Sequence, residues 1–570
     1  MRNSATHTDG GQNEVGKLLK ESRGLRKIIK NRQTPQLQDP APGLLNEIPP
    51  RNICDELVQH YLRTLGLIYR VLHIPTFYHE YERFWEDPRS SSTAFTMKLL
   101  LILAIGSIFH CKPGPSNELG LPVRKWMHAV QWWLSGPFEK ETGNLDGLQV
   151  YCMLLLCRQA HAIEKESNWM LAGTLLRLAV SQGLYRDPSN FPTLSAFDSE
   201  IRRRIWGTVV ELNVQLAIDA AMPPLLTFED FDTRPPSNLD DDDFDRTSTS
   251  LPPPQRKECY TVSSLQILLL QSFPTRLRIA RTINECTSEQ SYETALQLGN
   301  ELTGFCKEIA VLFHSYFARP GRSKLRPTQF HHRVMDTLLR RFLLNLYRPF
   351  TIEAVKDPRF YLSRKLSLDS ALIMASYGSQ SNTQTPTDQT SMQDFQRLAL
   401  SGAGLFKGHL SLDVMIVISL ELIIQVEEEA AANPAGSDPL PLDASDQMAQ
   451  LARAPLIQAL ERIKDQLYDS LVAGIPSMKR YGLLTGILAQ VQLVPRSEQA
   501  EWSHIREAFV DGMKTCRSLL QQYIAADDGN LHTPAGGSTG WTPESAIGSS
   551  LDSDFVVSLN RSVCSYRVVY

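Results

Sequence analysis

Apolar residues recur at intervals of three and four positions from about residue 51 to residue 525, and this spacing dominates the chain. It is the period of an α-helix with one buried face, whereas the alternation of strands and the tight dipeptides of hairpins are scarce. The pattern therefore predicts an all-α body over residues 51–525, built from stacked helices around one extended core.

The end of one helix can be located from its sequence. Leu171, Leu175 and Leu178 fall on one stripe of a helical period that stops at Gly183. Glycine suits the left-handed position just past a helix end, and Leu184 can supply the hydrophobic contact that follows it. We therefore expect a helix that ends next to Gly183 with its leucine stripe buried.

A second helix has clear signals at both ends. Ser195 with Asp198 three residues later forms a capping box, and Pro223 and Pro224 stop the helical period. The expected inner face consists of Ile201, Ile205, Leu212 and Leu216.

Polar stretches flank and interrupt the helical body. Residues 1–50 are polar, then basic, then Pro-rich, and are expected to form a disordered basic segment with a linker. Residues 526–570 are rich in Gly, Ser and Asp and are expected to form a disordered tail. Inside the body, residues 232–257 form the longest interruption and are a candidate boundary between two lobes.

Composition and cysteine spacing narrow the class of protein. A net charge of −4, from 58 basic and 62 acidic residues, does not indicate a general nucleic-acid binder. The apolar runs at 99–109 and 414–420 are shorter than the roughly 20 residues of a membrane helix, so no membrane partner is expected. The nine cysteines are scattered without any CxxC pair. This arrangement favours reduced, buried thiols over a disulfide framework or a zinc site.

The best argument for an enzyme is the acidic run at residues 240–245, which resembles the magnesium-binding motif of helical terpene cyclases. The run lies in a Pro- and Ser-rich stretch, and no second metal motif follows it. P-loop, GxGxxG, GxSxG and HExxH motifs do not occur. We therefore expect a solvated acidic loop, a surface position for His331 and His332, no cofactor and no enzymatic activity.

Three stretches resemble the fungal-specific transcription factor domain, which is the middle homology region of fungal zinc-cluster regulators. They are Val71–Phe77, then Ala172–Pro188 with Glu200–Trp206, and Leu344–Phe350 with Ser363–Arg364 after it; the resemblance spans about 70–375. The residues that carry it are His73, Pro75, Phe77, Gly183, Arg186, Asp187, Glu200, Arg202, Arg203, Arg204, Trp206, Arg348, Pro349 and Phe350.

The spacing of the arginine motif itself favours a structural role. Glu200 precedes Arg203 and Arg204 by three and four positions, so helical ion pairs are available. Three consecutive arginines sweep about 200° of a helix, so at least one must turn toward the body. A guanidinium there needs carboxylate or carbonyl partners. We favour this interpretation over direct phosphate contact, and we expect Trp206 to lie in the core.

The resemblance implies a DNA-binding cluster in which six cysteines share two zinc ions. The first cysteine of this chain is Cys54, which already lies inside the predicted helical body. We therefore expect the cluster to be missing from this chain, so that zinc is implied by the family only if an upstream cluster exists.

A basic segment precedes the body. Residues 17–32 set seven basic side chains against Glu21 alone: Lys17, Lys20, Arg23, Arg26, Lys27, Lys30 and Arg32. Leu18, Ser22, Leu25 and Ile29 form a two-heptad seam, shorter than the three or four heptads that a coiled coil normally needs. By resemblance this segment is the linker that follows a zinc cluster. The alternatives are a nuclear-import patch and a solvated tail.

The resemblance implies regulation of RNA polymerase II transcription in the nucleus, with this chain carrying a regulatory, effector-responsive domain. The expected partners are DNA, bound weakly and without sequence preference by this chain alone, a second copy of the chain, and a small-molecule effector or protein co-regulator. The alternatives are a cluster-less co-regulator that acts through protein contacts and, more distantly, a helical magnesium-dependent enzyme.

Overall fold

The computed structural model of the chain describes residues 17–21, 24–25, 43–110, 120–135, 142–164, 167–285, 290–319, 323–378, 386–432, 444–472, 477–492 and 498–530. The chain forms two compact units, Met1–Ala525 and Ala526–Tyr570. All the packing described below lies within the first unit.

The described residues are mostly helical and contain no β-strand, as predicted. The first half contains α1 (Arg51–Leu62), α2 (Leu65–Ile68), α3 (Ile74–Glu86), α4 (Thr93–His110), α5 (Val123–Ser135), α6 (Leu145–Ala160), α7 (Asn168–Ser181) and α8 (Ala196–Ala220). The second half contains α9 (Ser264–Ile283), α10 (Tyr292–Ala318), α11 (Gln329–Glu353), α12 (Tyr361–Ser376), α13 (Pro386–Ser401), α14 (Leu412–Ala432), α15 (Ala444–Val472), α16 (Met478–Gln492) and α17 (Glu498–Asn530).

Helix α4 lies at the centre of the first half and packs against α1, α5 and α6. It is longer than the apolar run at 99–109 suggests, and by length and composition it could cross a membrane. However, 78% of it is buried inside the body, which is typical of a core helix. A Cβ atom at Gly106 would lie 2.1 Å from the carbonyl oxygen of Leu57, so glycine permits the close contact of α1 with α4.

The apolar core consists of three clusters, not the single extended core that periodicity suggested. The largest cluster is built mainly from α1 to α11. A second cluster joins the later helices through Met374, Ile418, Leu460 and Leu484. The third is formed by α15, α16 and α17 together with Leu18 from the basic segment.

The ends of α7 and α8 lie close to their predicted positions. Gly183 follows α7 in the left-handed conformation with φ +74°, and Leu184 is buried. Leu178 is 37% exposed, so the stripe of α7 was placed wrongly at this position, where the helix faces solvent. Ser195 accepts a hydrogen bond from the Asp198 amide at 3.0 Å, which confirms Ser195 as the N-cap of α8. The reciprocal bond of a full capping box does not form, because the Asp198 carboxylate accepts from the Ser195 hydroxyl and not from its amide. The four residues predicted for the inner face of α8 are all buried.

Candidate functional site

Asp241 lies in a 3₁₀ turn, Asp241–Asp243, and is only 4% exposed. Its carboxylate accepts hydrogen bonds from Arg70 Nη2 at 2.6 Å and from the Ile74 amide at 2.7 Å, and it also pairs with Arg204. Burial alone would raise the pKa of Asp241, but the two guanidinium groups hold it well below its usual range. A single carboxylate thus joins the segment before α3 to the middle of α8.

His73 holds the same turn through its backbone. Its Nε2 atom lies 2.9 Å from the carbonyl oxygen of Asp241 and 3.1 Å from that of Phe244, so Nε2 carries the proton and donates. Its Nδ1 atom accepts from the Thr76 hydroxyl at 2.8 Å. Burial lowers the pKa of His73, which keeps the ring neutral. The ring also packs edge-on against Phe197, at a centroid distance of 5.0 Å.

Glu200 and Asp187 hold the chain that leads into this turn. Both oxygens of Glu200 lie within 3.2 Å of the Ser237 amide, which donates to them, and Glu200 is fully buried. Asp187 accepts from Arg203 Nη2 at 2.9 Å and from the backbone and side chain of Arg234 at 3.0 Å. Although burial would raise the pKa of Asp187, these donors hold it well below its usual range.

These contacts define what we call the loop clamp: Arg70, His73, Asp187, Glu200, Arg203 and Arg204 hold residues 232–244. Two of the three stretches that resemble the family supply all of its side chains except Arg70, which immediately precedes the first stretch. Every clamp carboxylate accepts hydrogen bonds or ion pairs from protein groups, so the arrangement fixes a loop and offers no general base or metal ligand.

The prediction of a solvated acidic loop is wrong for Asp241. Leu239 and Phe244 are also buried, so residues 233–244 pack against the body, whereas residues 245–257 are exposed or partly exposed. The prediction failed because a local run of like charges looks solvated, while its arginine partners lie 37 and 171 residues away. In the described part of the chain, no three His, Cys, Asp or Glu side chains come together as a metal site.

The remaining motif residues have different positions. Arg202 donates to the carbonyl of Gln182 at the end of α7, and burial lowers its pKa although the charge of Asp198 opposes this shift. Arg186 pairs with Asp232 at 3.2 Å on the surface. Trp206 is buried against Phe231, as expected for a core residue.

The start of α3 places the other two residues of the first stretch. Pro75 is exposed in the first turn of the helix, where a missing amide hydrogen is harmless. Phe77 is buried and stacks on Tyr81 at a centroid distance of 5.8 Å.

The third stretch lies apart from the clamp contacts. Arg348 is half exposed and 3.9 Å from Asp413, while Phe350 packs on Tyr292 at a ring distance of 4.9 Å. Pro349 is exposed inside α11, and the helix continues three residues beyond Phe350 to Glu353.

A second buried network was not predicted. Arg276 donates to both oxygens of Glu211 at 2.7 Å, and Arg341 donates to Gln215 at 3.0 Å and pairs with Asp219. Glu211, Gln215 and Asp219 follow one another at helical spacing along α8. The signal in the sequence was therefore a stripe of polar residues on an otherwise apolar helix. A search for inward-facing apolar residues does not detect such a stripe.

A narrow crevice lies beside this network, lined by Tyr69, Gly207, Glu211, Gln266 and Leu270 among others. Its lining atoms leave no space for a molecule the size of water, so it is too small for a typical effector.

The position of His331 corrects another prediction. His331 was expected at the surface but is fully buried at the start of α11. Its Nδ1 accepts from the Thr328 amide at 2.9 Å, and its Nε2 donates to the carbonyl of Thr64 at 3.2 Å. It was missed because its neighbours in sequence are basic, whereas its partners belong to a distant segment. Burial lowers the pKa of His331 to about 3.

Among the described cysteines, Cys54, Cys152, Cys157, Cys306 and Cys516 are buried and Cys259 is exposed, and all are free thiols. Burial raises the pKa of Cys54, Cys306 and Cys516 to about 12. These three thiols stay protonated and are poor nucleophiles and metal ligands.

The basic segment is only partly described. Lys17 and Lys20 are exposed, while Leu18 between them is buried. The other predicted basic residues lie outside the described part of the chain: Arg23, Arg26, Lys27, Lys30 and Arg32.

Residues 58–299 match the family model described as the fungal specific transcription factor domain. All the clamp residues lie within this range, whereas Arg348, Pro349 and Phe350 lie outside it. No solved structure matches the chain.

Three curated relatives illustrate the similarity. The chain is 45% identical over 522 residues to the transcription factor opdR of Penicillium oxalicum, covering 90% of this chain and 65% of that protein. It is 32% identical over 488 residues to the transcription factor lepE of Aspergillus flavus, covering 84% of this chain and 56% of that protein. It is 32% identical over 397 residues to the aspyridones cluster regulator apdR of Emericella nidulans, covering 68% of this chain and 50% of that protein. The chain thus spans between half and two thirds of the length of these relatives.

Proposed function

We propose that this chain, which matches the fungal specific transcription factor domain over residues 58–299 and is similar to transcription factors over most of its length, is the helical regulatory body of a nuclear transcription regulator of the zinc-cluster class. The family is one of transcription factors and not of enzymes. The observation that carries the proposal is the loop clamp, because motif residues far apart in sequence meet on one buried turn inside the range that matches the family model.

DNA recognition in this proposal depends on a zinc cluster outside these 570 residues, since they contain no CxxC pair. Zinc belongs to the proposal only through that cluster. The basic segment supplies phosphate contacts, which position a protein on DNA but carry no sequence information. A second copy of the chain, a small-molecule effector and a protein co-regulator are the further proposed partners.

The target proposed for this regulator is a cluster of genes. The names of several relatives tie them to clusters, including the aspyridones cluster regulator apdR and the fusarisetin A cluster transcription factor fsa6. On this proposal, deleting the gene for this chain changes the transcript levels of neighbouring genes together, as measured by RNA sequencing.

The regulatory role can be tested apart from the chain's own DNA target. The chain is fused to a sequence-specific DNA-binding domain from another protein, and transcription of a reporter with the matching site is measured. We expect a several-fold change that requires the site and is weakened by Arg204→Ala, with Arg202→Ala as the matched control. A folded, nuclear fusion that leaves the reporter unchanged would contradict the proposal.

Nuclear import gives a second test. Replacing Arg26, Lys27, Lys30 and Arg32 with alanine should reduce nuclear accumulation of a fluorescent fusion, because import receptors bind short basic stretches. The matched control replaces four basic residues of the body: Lys307, Arg319, Lys356 and Lys365. Equal nuclear fluorescence in wild type and in the segment variant would remove the import role from the segment.

A further inference from the structure

The N-terminal basic segment begins with a helical turn that contacts the C-terminal helices. Leu18 is 4% exposed and lies in a hydrophobic cluster with side chains of α15, α16 and α17. These side chains, which we call the C-terminal dock, are Leu471, Met478, Val510, Met513, Cys516 and Leu520. Leu19 and Leu25 pack against the same cluster as partly buried residues.

The charged residues of this turn are arranged around the buried leucine. Lys17 and Lys20 are exposed, and Glu21 accepts a hydrogen bond from Arg517 Nη1 at 2.8 Å. Glu21 is the one acidic residue between positions 17 and 32. Its pairing with Arg517 therefore neutralises the one opposing charge of the segment and leaves both lysines facing solvent.

We propose that the C-terminal dock is an intramolecular binding surface for Leu18, Leu19 and Leu25 of the basic segment, and that docking increases the affinity of the segment for duplex DNA. A free segment must be ordered when it binds, and this ordering weakens binding, whereas a docked turn is ordered beforehand. The helices farthest along the chain thus control how well its first basic residues bind a polyanion. The choice of DNA as that polyanion rests on the proposed function; the docking itself does not.

Hydrogen exchange measured by mass spectrometry tests the docking. In the full chain, the amides of residues 17–21 should exchange at least tenfold more slowly than in Met513→Gln, which places a polar group in the buried dock without changing the charge. Leu18→Asn is the second variant, because it leaves the C-terminal helices unchanged. Val311→Gln is the matched control, since Val311 is 69% exposed on α10.

Fluorescence anisotropy with a labelled duplex at low salt tests the consequence. We expect Met513→Gln and Leu18→Asn to weaken DNA binding about threefold to tenfold, and Val311→Gln to bind as wild type does. Equally fast exchange of residues 17–21 in wild type and Leu18→Asn would overturn the docking. Equal or tighter DNA binding by the undocked variants would overturn the effect on affinity. Neither result bears on the reporter test of the proposed function.

Discussion

Asp241 shows how a single buried carboxylate can define a local structure. It lies between the guanidinium groups of Arg70 and Arg204, which are both 1% exposed. Burying such charges is costly unless each has its partner, so the removal of one leaves the others unpaired. The sequence indicated that one arginine of the triplet turns inward. Its partner could not be predicted, because a run of four aspartates offers no signal that one of them is buried.

The three arginines of the motif should therefore differ in their effect on stability. Arg204→Ala removes one of the two guanidinium groups that pair with Asp241. It should lower the free energy of unfolding by about 3–5 kcal/mol. Arg203→Ala should cost less, because Arg234 still donates to Asp187. Arg202→Ala removes a bond to one carbonyl and should cost about 0.5–1.5 kcal/mol. Denaturant unfolding of the three variants gives the order, and three values within about 0.5 kcal/mol of wild type would refute a structural role.

Buried neutral histidines make the fold sensitive to acid. Burial lowers the pKa of His331 to about 3 and the pKa values of His161 and His409 to about 4. An unfolded histidine titrates near pH 6.5, so as the pH falls from about 6.5 toward these values the unfolded state takes up protons before the folded state does. Stability should therefore fall with pH across this window, by about 2 kcal/mol at pH 5 for each of these histidines.

His331→Asn should remove one part of this acid sensitivity. The asparagine oxygen can still accept from the Thr328 amide, so the start of α11 keeps its cap while the titrating ring is lost. We expect the difference in unfolding free energy between pH 7 and pH 5 to shrink by about 2 kcal/mol. His314→Asn is the control at an exposed position. An unchanged difference in His331→Asn would mean that folded His331 takes up its proton near pH 6.5, as it does in the unfolded chain.

At the scale of the element, the ends of helices were predicted more accurately than the sides of helices that are buried. The N-cap at Ser195 and the left-handed Gly183 depend on neighbours within a few residues, and both are present. Pro349 lies on the exposed side of α11 and is accommodated without ending the helix. The prediction for Leu178 was wrong, because an apolar residue at helical spacing still faces solvent where no helix covers it.

The crossing of α1 and α4 gives a prediction for Gly106. Alanine normally stabilises a helix by about 1 kcal/mol relative to glycine. In Gly106→Ala, however, the added methyl group would lie 2.1 Å from the Leu57 carbonyl oxygen, so the two helices must separate. We expect a net loss of about 1–3 kcal/mol in calorimetric or denaturant unfolding.

Gly304 provides the matched control for this prediction. It lies in α10, and a Cβ atom there would meet nothing within 4 Å. Gly304→Ala should therefore stabilise the protein by up to about 1 kcal/mol. If the two variants change stability in the same direction, the close contact at Gly106 does not limit the packing of α1 on α4.

At the scale of the molecule, the similarity to the fungal transcription factor domain and the fold class could be predicted from the sequence, whereas the division of the core could not. The motifs at residues 71–77 and 183–206 are local patterns that can be read directly. The three hydrophobic clusters depend on which helices meet, and helical periodicity says only that each helix has a buried face. The hydrogen bond from Arg517 to Glu21 joins residues 496 positions apart, which no local pattern indicates.

The charge distribution of the whole chain predicts its behaviour toward DNA. With a net charge of −4 and one dense basic segment, this chain alone should bind duplex DNA without sequence preference. The dissociation constant should be roughly 10⁻⁴ to 10⁻⁶ M at physiological salt and should rise steeply with added salt. Titration of unrelated duplexes at several salt concentrations is the measurement, and sequence-selective, salt-tolerant binding would falsify this prediction.

The loop clamp can form only late in the synthesis of the chain. Arg70 and Asp241 are separated by 171 residues. At roughly 5–20 residues per second, Asp241 leaves the ribosome about 9–34 s after Arg70. During that interval the nascent chain already contains the residues of helices α3 to α8. Arg70 and Arg204 still lack their carboxylate partner, Asp241. A chain stalled before residue 241 should therefore expose these helices to chaperones, and release should follow once the loop has emerged.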